Sequence, residues 1–368
     1  MAPAESAGSD APADSGASTT TASPPGTDVP QPCEPGVLDA PLEPLFDGPL
    51  GIVTSHDLDG DAHRDVFGGH GVAVLHAGLA VAVLADVPAA NNGRPGDFDG
   101  DGVADVLFMA GVGLSARLRA WQPDAITVDT PAPGAGQFVI GDHDADGLDD
   151  VALAGADALQ LWHSTGDGGF SLRTSIEAPW GGGSTAMARL GVDENATIVY
   201  SGGGSNHVAL FSAVDDSVEP VGEFDVLDAF LVRGFESPTT GEGELLLNSW
   251  FSQLVTSSSV SVARRRGSVW ALDSYDLDGA MPADSSPLDV DADGTTELVV
   301  LVDDGDRSRL DIACLAGMEY QRCAWLGLDE RMTDLGTLAD PPRVIVSSET
   351  QTWSLALPPT CCSCAPAR

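Results

Sequence analysis

Basic side chains are scarce in this chain: 16 Lys and Arg stand against 56 Asp and Glu, a formal charge of −40 over 368 residues. Phosphate recognition needs clustered Lys and Arg, so nucleic acid is excluded as a partner, and an anionic membrane surface with it. Long apolar runs are missing too. The longest, "GVAVLHAGLAVAVLA" at 71–85, has 15 residues and contains His76 and Gly78. It falls short of the ~18–20 residues that span a bilayer and reads as two strands turning at "HAG". Helical 3.6-residue periodicity is absent, and the 43 Gly and 25 Pro interrupt nearly every window long enough for a helix. These absences leave many short strands joined by turns.

Residues 1–36 are mostly Ala, Ser, Thr, Pro, Gly and Asp, with no aromatic and almost no large aliphatic side chain. Such a segment buries too little apolar surface to offset ordering entropy and is expected to be a disordered tether ahead of one domain at 37–368. With neither a basic n-region nor an apolar h-region, it reads as a mature exported chain without its signal.

Against this background one pattern recurs. "DLDGDAHRD" begins at Asp57, "DFDGDGVAD" at Asp97, "DHDADGLDD" at Asp142 and "DVDADGTTE" at Asp289, each running into an apolar stretch. The ninth loop position serves as a marker: Asp65, Asp105, Asp150 and Glu297. Degenerate copies place further markers at Thr197, Glu244 and Arg343, giving intervals of 40, 45, 47, 47, 53 and 46 residues. A repeat of that length signals a repeat architecture. In each unit a four-residue apolar run such as "VALA" or "LVVL" follows the loop, too continuous for a half-exposed strand and too short for a helix. A turn, a second apolar run and a weaker strand complete the unit. Four short strands per 40–50 residues describe a propeller blade, so the expected fold is all-β, a seven-bladed β-propeller with four-stranded antiparallel blades.

The D-x-D-x-D-G-x-x-D loop leading into an apolar strand resembles the FG-GAP/VCBS repeat family, which includes the integrin α-subunit propeller. The resemblance covers about 37–368; it is specific in four units and positional in three. It implies a seven-bladed propeller, calcium in the inter-strand loops and an extracellular or cell-surface setting. The loop chemistry agrees. Ca²⁺ takes six to eight oxygen ligands in flexible geometry, and alternating aspartates supply three from one tight turn. Glycine at position 6 permits the sharp turn. Up to four Ca²⁺ ions are therefore expected. The first would use Asp57, Asp59, Asp61, the His63 carbonyl and Asp65, although Ala62 replaces the turn glycine. The second would use Asp97, Asp99, Asp101, the Val103 carbonyl and Asp105. The third would use Asp142, Asp144, Asp146, the Leu148 carbonyl and Asp150. The last would use Asp289, Asp291, Asp293, the Thr295 carbonyl and Glu297. An EF-hand is excluded, because its position 12 needs Glu and this chain has Gly68, Phe108, Leu153 and Val300 there.

Other chemistry is weaker. His56, His63, His70 and His76 fall in the first unit at irregular spacing and read as scattered histidines rather than a metal set. "RRR" at 264–266 reads as a solvated hairpin face, and Trp162, Phe211 and Trp353 as packing between blades. No G-x-S-x-G or H-E-x-x-H occurs, and no acid/base constellation stands out. Cys314 and Cys323 could face each other across a hairpin. Cys33 is expected to pair with Cys361, Cys362 or Cys364, closing the ring in an oxidising compartment. The expected role is a monomeric secreted or cell-surface module that binds a protein or carbohydrate. The alternative is a calcium-dependent lyase or hydrolase of polysaccharide on the same scaffold.

Overall fold

The computed structural model describes residues 35–358 apart from 52, 62, 76, 85–92, 111–112, 123, 133–136, 155–157, 178–182, 189–196, 203–206, 215–216, 226–228, 237–242, 251–257, 267–268 and 318. Between 183 and 232 the description is mainly of backbone pairing. Every described strand lies within Cys33–Arg368, and nearly all of the expected tether, residues 1–34, lies outside the described residues.

The fold is all-β. Among the described residues the only helical turn is a 3₁₀ turn at Ala77–Leu79. Strands Val53–His56, Asp65–Gly68, Val72–Leu75 and Ala80–Val83 pair in chain order as one antiparallel sheet. The same four-strand meander recurs over 94–131, 137–177 and 183–225. Meanders over 229–276 and 281–328 join into a nine-stranded sheet through a single parallel pair, Ser274 with Glu319. Its ninth strand is Gly36–Val37, parallel to Ala324–Trp325. The last sheet takes Asp334–Leu338, Arg343–Ser347 and Gln351–Ala356, then borrows Glu43–Asp47 from the start of the chain as its fourth strand.

The second strand of each meander begins at Asp65, Asp105, Asp150, Thr197, Gly243, Glu297 or Arg343. These are the marker positions of the sequence, with Glu244 displaced by one. The strands that follow are apolar without alternation because both faces are covered. Val106 and Phe108 pack toward the preceding sheet with Phe67 and Ala73, while Leu107 packs toward the following one with Phe138 and Leu153. Leu298, Val300 and Val302 face one neighbour, and Val299 and Leu301 the other. Burying one such side chain contributes about 1.5–3 kcal/mol, and each sheet shares that gain with two neighbours.

The last sheet packs on the first. Asp334–Leu338 lies against Val53–His56, and Leu338 and Ile345 share a core with Leu50, Val66, Val72 and Val74. The crossing chain is tied down by Ser347 Oγ accepting the Leu50 N–H at 2.9 Å and by Thr352 Oγ1 donating to Gly48 O at 2.8 Å. Gly68 is required here, since a Cβ would sit 2.2 Å from Leu50 O. Closure is thus made by backbone pairing across the termini. Cys33, Cys361, Cys362 and Cys364, to which closure was ascribed from the sequence, lie outside the described residues, as does His76.

Two sequence readings are corrected. Cys323 is a free thiol while Cys314 is disulfide-bonded, so the two do not bond to each other. The hairpin register is the physical reason: Ile312 pairs with Ala324, Cys314 lies opposite Gln321, and a bulge after Ile312 leaves Cys323 out of the pairing. Nor is the Arg264–Arg266 run simply solvated. Arg264 is largely buried and donates to Glu244 at 2.9 Å, Asp273 at 2.6 Å and the Tyr320 hydroxyl at 2.8 Å. Its alternation on the strand turns it inward, where buried carboxylates require it.

Deleting residues 1–47 should lower the melting temperature by many degrees and produce oligomers through the freed Gln351–Ala356 edge, read by calorimetry and size-exclusion chromatography. Glu43→Ala, which removes only the 2.6 Å ion pair with Arg343, should change stability by under about 1 kcal/mol. Equal effects of the two changes would overturn closure by strand pairing.

Candidate metal centres

The four aspartate loops share one hydrogen-bond plan. The position-1 carboxylate accepts from the loop's own N–H groups: Gly100 N–H to Asp97 Oδ1 at 2.8 Å and Gly102 N–H to Asp97 Oδ2 at 3.0 Å, with Gly147 to Asp142 and Gly294 to Asp289 alike. Position 3 accepts the position-5 N–H, as in Asp61 to Asp59 and Asp101 to Asp99. Position 5 accepts the position-7 N–H: His63 to Asp61, Val103 to Asp101, Leu148 to Asp146 and Thr295 to Asp293, at 2.6–2.9 Å. Each aspartate therefore uses one or two lone pairs to shape the turn and keeps the others. Position 6 takes a left-handed φ at Gly102, Gly147 and Gly294, and so does position 4, where Gly60 and Gly100 are matched by Ala145 and Ala292. Ala62 lies outside the described residues.

Position 9 is different. Asp65, Asp105 and Asp150 are buried, and each accepts the N–H of loop position 2: Leu58 at 2.7 Å, Phe98 at 2.9 Å and His143 at 3.3 Å. The second oxygen takes an N–H from the end of the third strand, Arg119 to Asp105 at 2.6 Å and Ser164 to Asp150 at 2.9 Å. In these loops the carboxylates within 4.8 Å of one another are Asp57, Asp59 and Asp61, then Asp97, Asp99 and Asp101, then Asp142, Asp144 and Asp146. Position 9 is not among them. In the sixth unit the longer Glu297 does join Asp289 and Asp291, and Asp293 is outside the set. The position-7 residues His63, Val103, Leu148 and Thr295 are fixed through their N–H groups.

The electrostatics show an excess of negative charge. Burial pushes the Asp105 carboxyl up to about 6 and the Glu297 carboxyl up to about 8. Asp99 and Asp291 are raised by burial and by the carboxylates beside them. Asp101 runs the other way: despite some burial, the Val103 N–H and the Arg119 guanidinium hold it low, with Arg119 Nε 2.9 Å from its Oδ2. In the sixth loop the buried Asp289 Oδ1 has no hydrogen-bond partner. An orphaned anionic oxygen beside two further carboxylates suits a hard, oxygen-seeking cation such as Ca²⁺.

A fifth cluster escaped the sequence reading: His143, Asp144, Asp150 and His163 also place ligand atoms within 4.8 Å of one another. Attention to the crowded histidines of the first unit hid it. His56 is partly buried and lowered by that burial, while His63 and His70 are exposed. Aligning the repeats by loop position would have shown His143 standing where the other loops carry Leu58, Phe98 and Val290. Trp162 is buried in the core between sheets and Trp353 packs at its edge, as expected, while the Phe211 side chain lies outside the described residues.

No protein-family model matches the chain, and no curated protein sequence matches it. Solved structures do. BBS1N in complex with ARL6DN, in a crystal soaked with lead, aligns over 88% of this chain and 98% of its own at TM-score 0.57 and 10% identity. The mercury-soaked crystal of that complex gives 0.54, with 86% and 97% covered at 10% identity. The N-terminal domain of Nup159 covers 88% and 97% at 9% identity and 0.48, too low to weigh. These neighbours are β-propeller domains. The fold is of the β-propeller kind. At such identity the likeness carries the fold and nothing more.

Left-handed φ at a residue with a Cβ costs about 1–2 kcal/mol. Ala145→Gly and Ala292→Gly should each stabilise the protein by about 0.5–1 kcal/mol after glycine's extra chain entropy is subtracted. Denaturant titration of both variants checks this, and destabilisation by either would contradict the loop conformation.

Proposed function

We propose that the chain is a seven-bladed calcium-binding β-propeller of the FG-GAP/VCBS kind, exported to the cell surface or beyond, where it binds a protein or glycan. Five four-stranded sheets and the two halves of the nine-stranded sheet supply the blades. Calcium sits in the loops at Asp57–Asp65, Asp97–Asp105, Asp142–Asp150 and Asp289–Glu297. The observation that carries this reading is the repeated convergence of three carboxylates in one loop geometry, with an orphaned Asp289 oxygen in the last copy. Bound calcium supplies the positive charge that the loop N–H groups only partly provide. At the fifth marker no such set is needed, because Glu244 meets Arg264 instead.

The solved neighbour BBS1N was crystallised in complex with ARL6DN, so a propeller of this fold can carry a protein ligand; which ligand class this chain binds is left to the assays below. Among the described residues no helix is long and apolar enough to cross a membrane, which is compatible with a secreted or tethered module.

Chelation tests the metal. A ligand that binds only the folded chain stabilises it by about 2.7 kcal/mol per site at a hundredfold excess over Kd. Extracellular sites commonly bind at ~10⁻⁴–10⁻³ M, so millimolar Ca²⁺ should raise the melting temperature, and Mg²⁺ should restore it poorly. Asp99→Ala and Asp146→Ala should each lose one bound ion while Glu349→Ala loses none, counted by equilibrium dialysis. An unchanged melting temperature in chelator and in millimolar calcium would sink the calcium reading. A glycan array and a polysaccharide turnover assay address the role; turnover would replace the binding module with the enzyme alternative.

A further inference from the structure

In three aspartate-bearing units, loop position 2 and the residue near the end of the facing third strand belong to one apolar cluster: Leu58 with Leu75, Phe98 with Leu118, and Val290 with Cys314. In the third unit the same two positions carry His143 and His163. Both are buried, at 0% and 4% exposure, with ring centroids 4.7 Å apart.

This pair is poorly satisfied. His143 Nε2 and both ring nitrogens of His163 are buried without a hydrogen-bond partner. His143 Nδ1 lies 3.2 Å from Asp150 Oδ2, and His163 Nδ1 lies 3.2 Å from Asp144 Oδ2, though not aligned for a hydrogen bond. Two imidazoles left with lone pairs in an apolar layer are costly; the first two units avoid the cost with hydrocarbon, and the sixth carries Val290 and the disulfide-bonded Cys314. Something must meet those nitrogens. Ligands on a tetrahedral zinc ion, bound at 2.0–2.2 Å, stand roughly 3.3 Å apart, close to the two N···O separations seen here. Nitrogen and carboxylate donors together suit a first-row transition metal and are a poor set for Ca²⁺, which prefers oxygen throughout.

We propose that His143, His163, Asp144 and Asp150 form a transition-metal site of the zinc class, inside the third sheet and separate in chemistry from the calcium loops. Asp144 belongs to both the histidine cluster and the third aspartate loop, so the two sites share one carboxylate. Calcium held by Asp142, Asp144 and Asp146 and zinc held below them would each fix the orientation of Asp144 for the other.

The whole chain is dialysed against Zn²⁺ in millimolar Ca²⁺, which occupies the aspartate loops, and bound zinc is counted by mass spectrometry. One equivalent is expected. The double variant His143→Phe with His163→Leu reproduces the Phe98–Leu118 pair, so it should fold, keep its calcium response and hold no zinc. Co²⁺ loading gives a second readout on the unaltered chain: tetrahedral coordination with nitrogen ligands produces intense visible bands, expected in the parent and lost in the variant. Absence of bound zinc and of those bands in the parent overturns the site, as does equal zinc in parent and variant. Either result leaves the calcium reading standing, because that reading depends on chelator sensitivity and on other residues.

Discussion

The buried carboxylate at the start of each second strand is the constraint on which the loops depend. Asp65, Asp105, Asp150 and Glu297 each take the N–H of loop position 2 from inside the core. Position 2 is itself a core side chain in three of those loops, so one contact fixes both where the loop enters and where the strand begins. With its two ends pinned, the loop turns tightly, and in the first three copies its carboxylates at positions 1, 3 and 5 bring oxygens within 4.8 Å of one another.

Burial of that anion has an electrostatic cost that the backbone meets in part. Two N–H donors meet Asp105 and one meets Glu297, yet Asp105 still stands near 6 and Glu297 near 8. Burial is the main cause of both shifts and the neighbouring aspartates add to it, leaving the negative charge under-compensated. The units answer that deficit in different ways. Arg119 reaches over the second loop to Asp101, Arg264 enters the fifth unit to meet Glu244, and the seventh marker is itself an arginine that pairs with Glu43. At these three places a guanidinium meets part of the negative charge directly.

The sequence made the strand starts readable because one residue type serves two functions there, ending the loop and opening the apolar run. Doubly covered strands were readable for a related reason: "DVALA" and "ELVVLVD" show no alternation, which only a sheet covered on both faces tolerates. The role of position 9 was less legible. Asp at a loop end looks the same whether it faces an ion or takes backbone N–H groups, and the difference lies in burial. The left-handed position 4 was hidden because alanine occupies it in two loops. Arg264 was misread since Arg265 and Arg266 beside it are exposed at the strand end; Arg266 shares the face of Arg264 and also reaches Asp273, and only burial tells the two apart. Closure by Glu43–Asp47 left little trace, for "EPLFD" is weakly apolar and its partner strand lies more than 300 residues away.

Repetition also gives the molecule internal controls. Equivalent positions in different units sit in nearly the same backbone environment, so a change of residue type between them isolates a side-chain effect. Phe98 and Leu118 show that the position-2 layer is satisfied by hydrocarbon, and Val290 with Cys314 shows that smaller groups are tolerated there too. Two histidines at those positions thus cannot be ascribed to backbone geometry or to a need for volume. Glu297 is a similar case: one extra methylene at position 9 lets the carboxylate accept the Val290 N–H at 2.8 Å and still come within reach of Asp289 and Asp291. The shorter Asp65 and Asp105 hold the loop base without joining their triplets, while Asp150 comes within reach of Asp144 and the two histidines. Side-chain length at this position and the residue at position 2 together decide which cluster the buried anion faces.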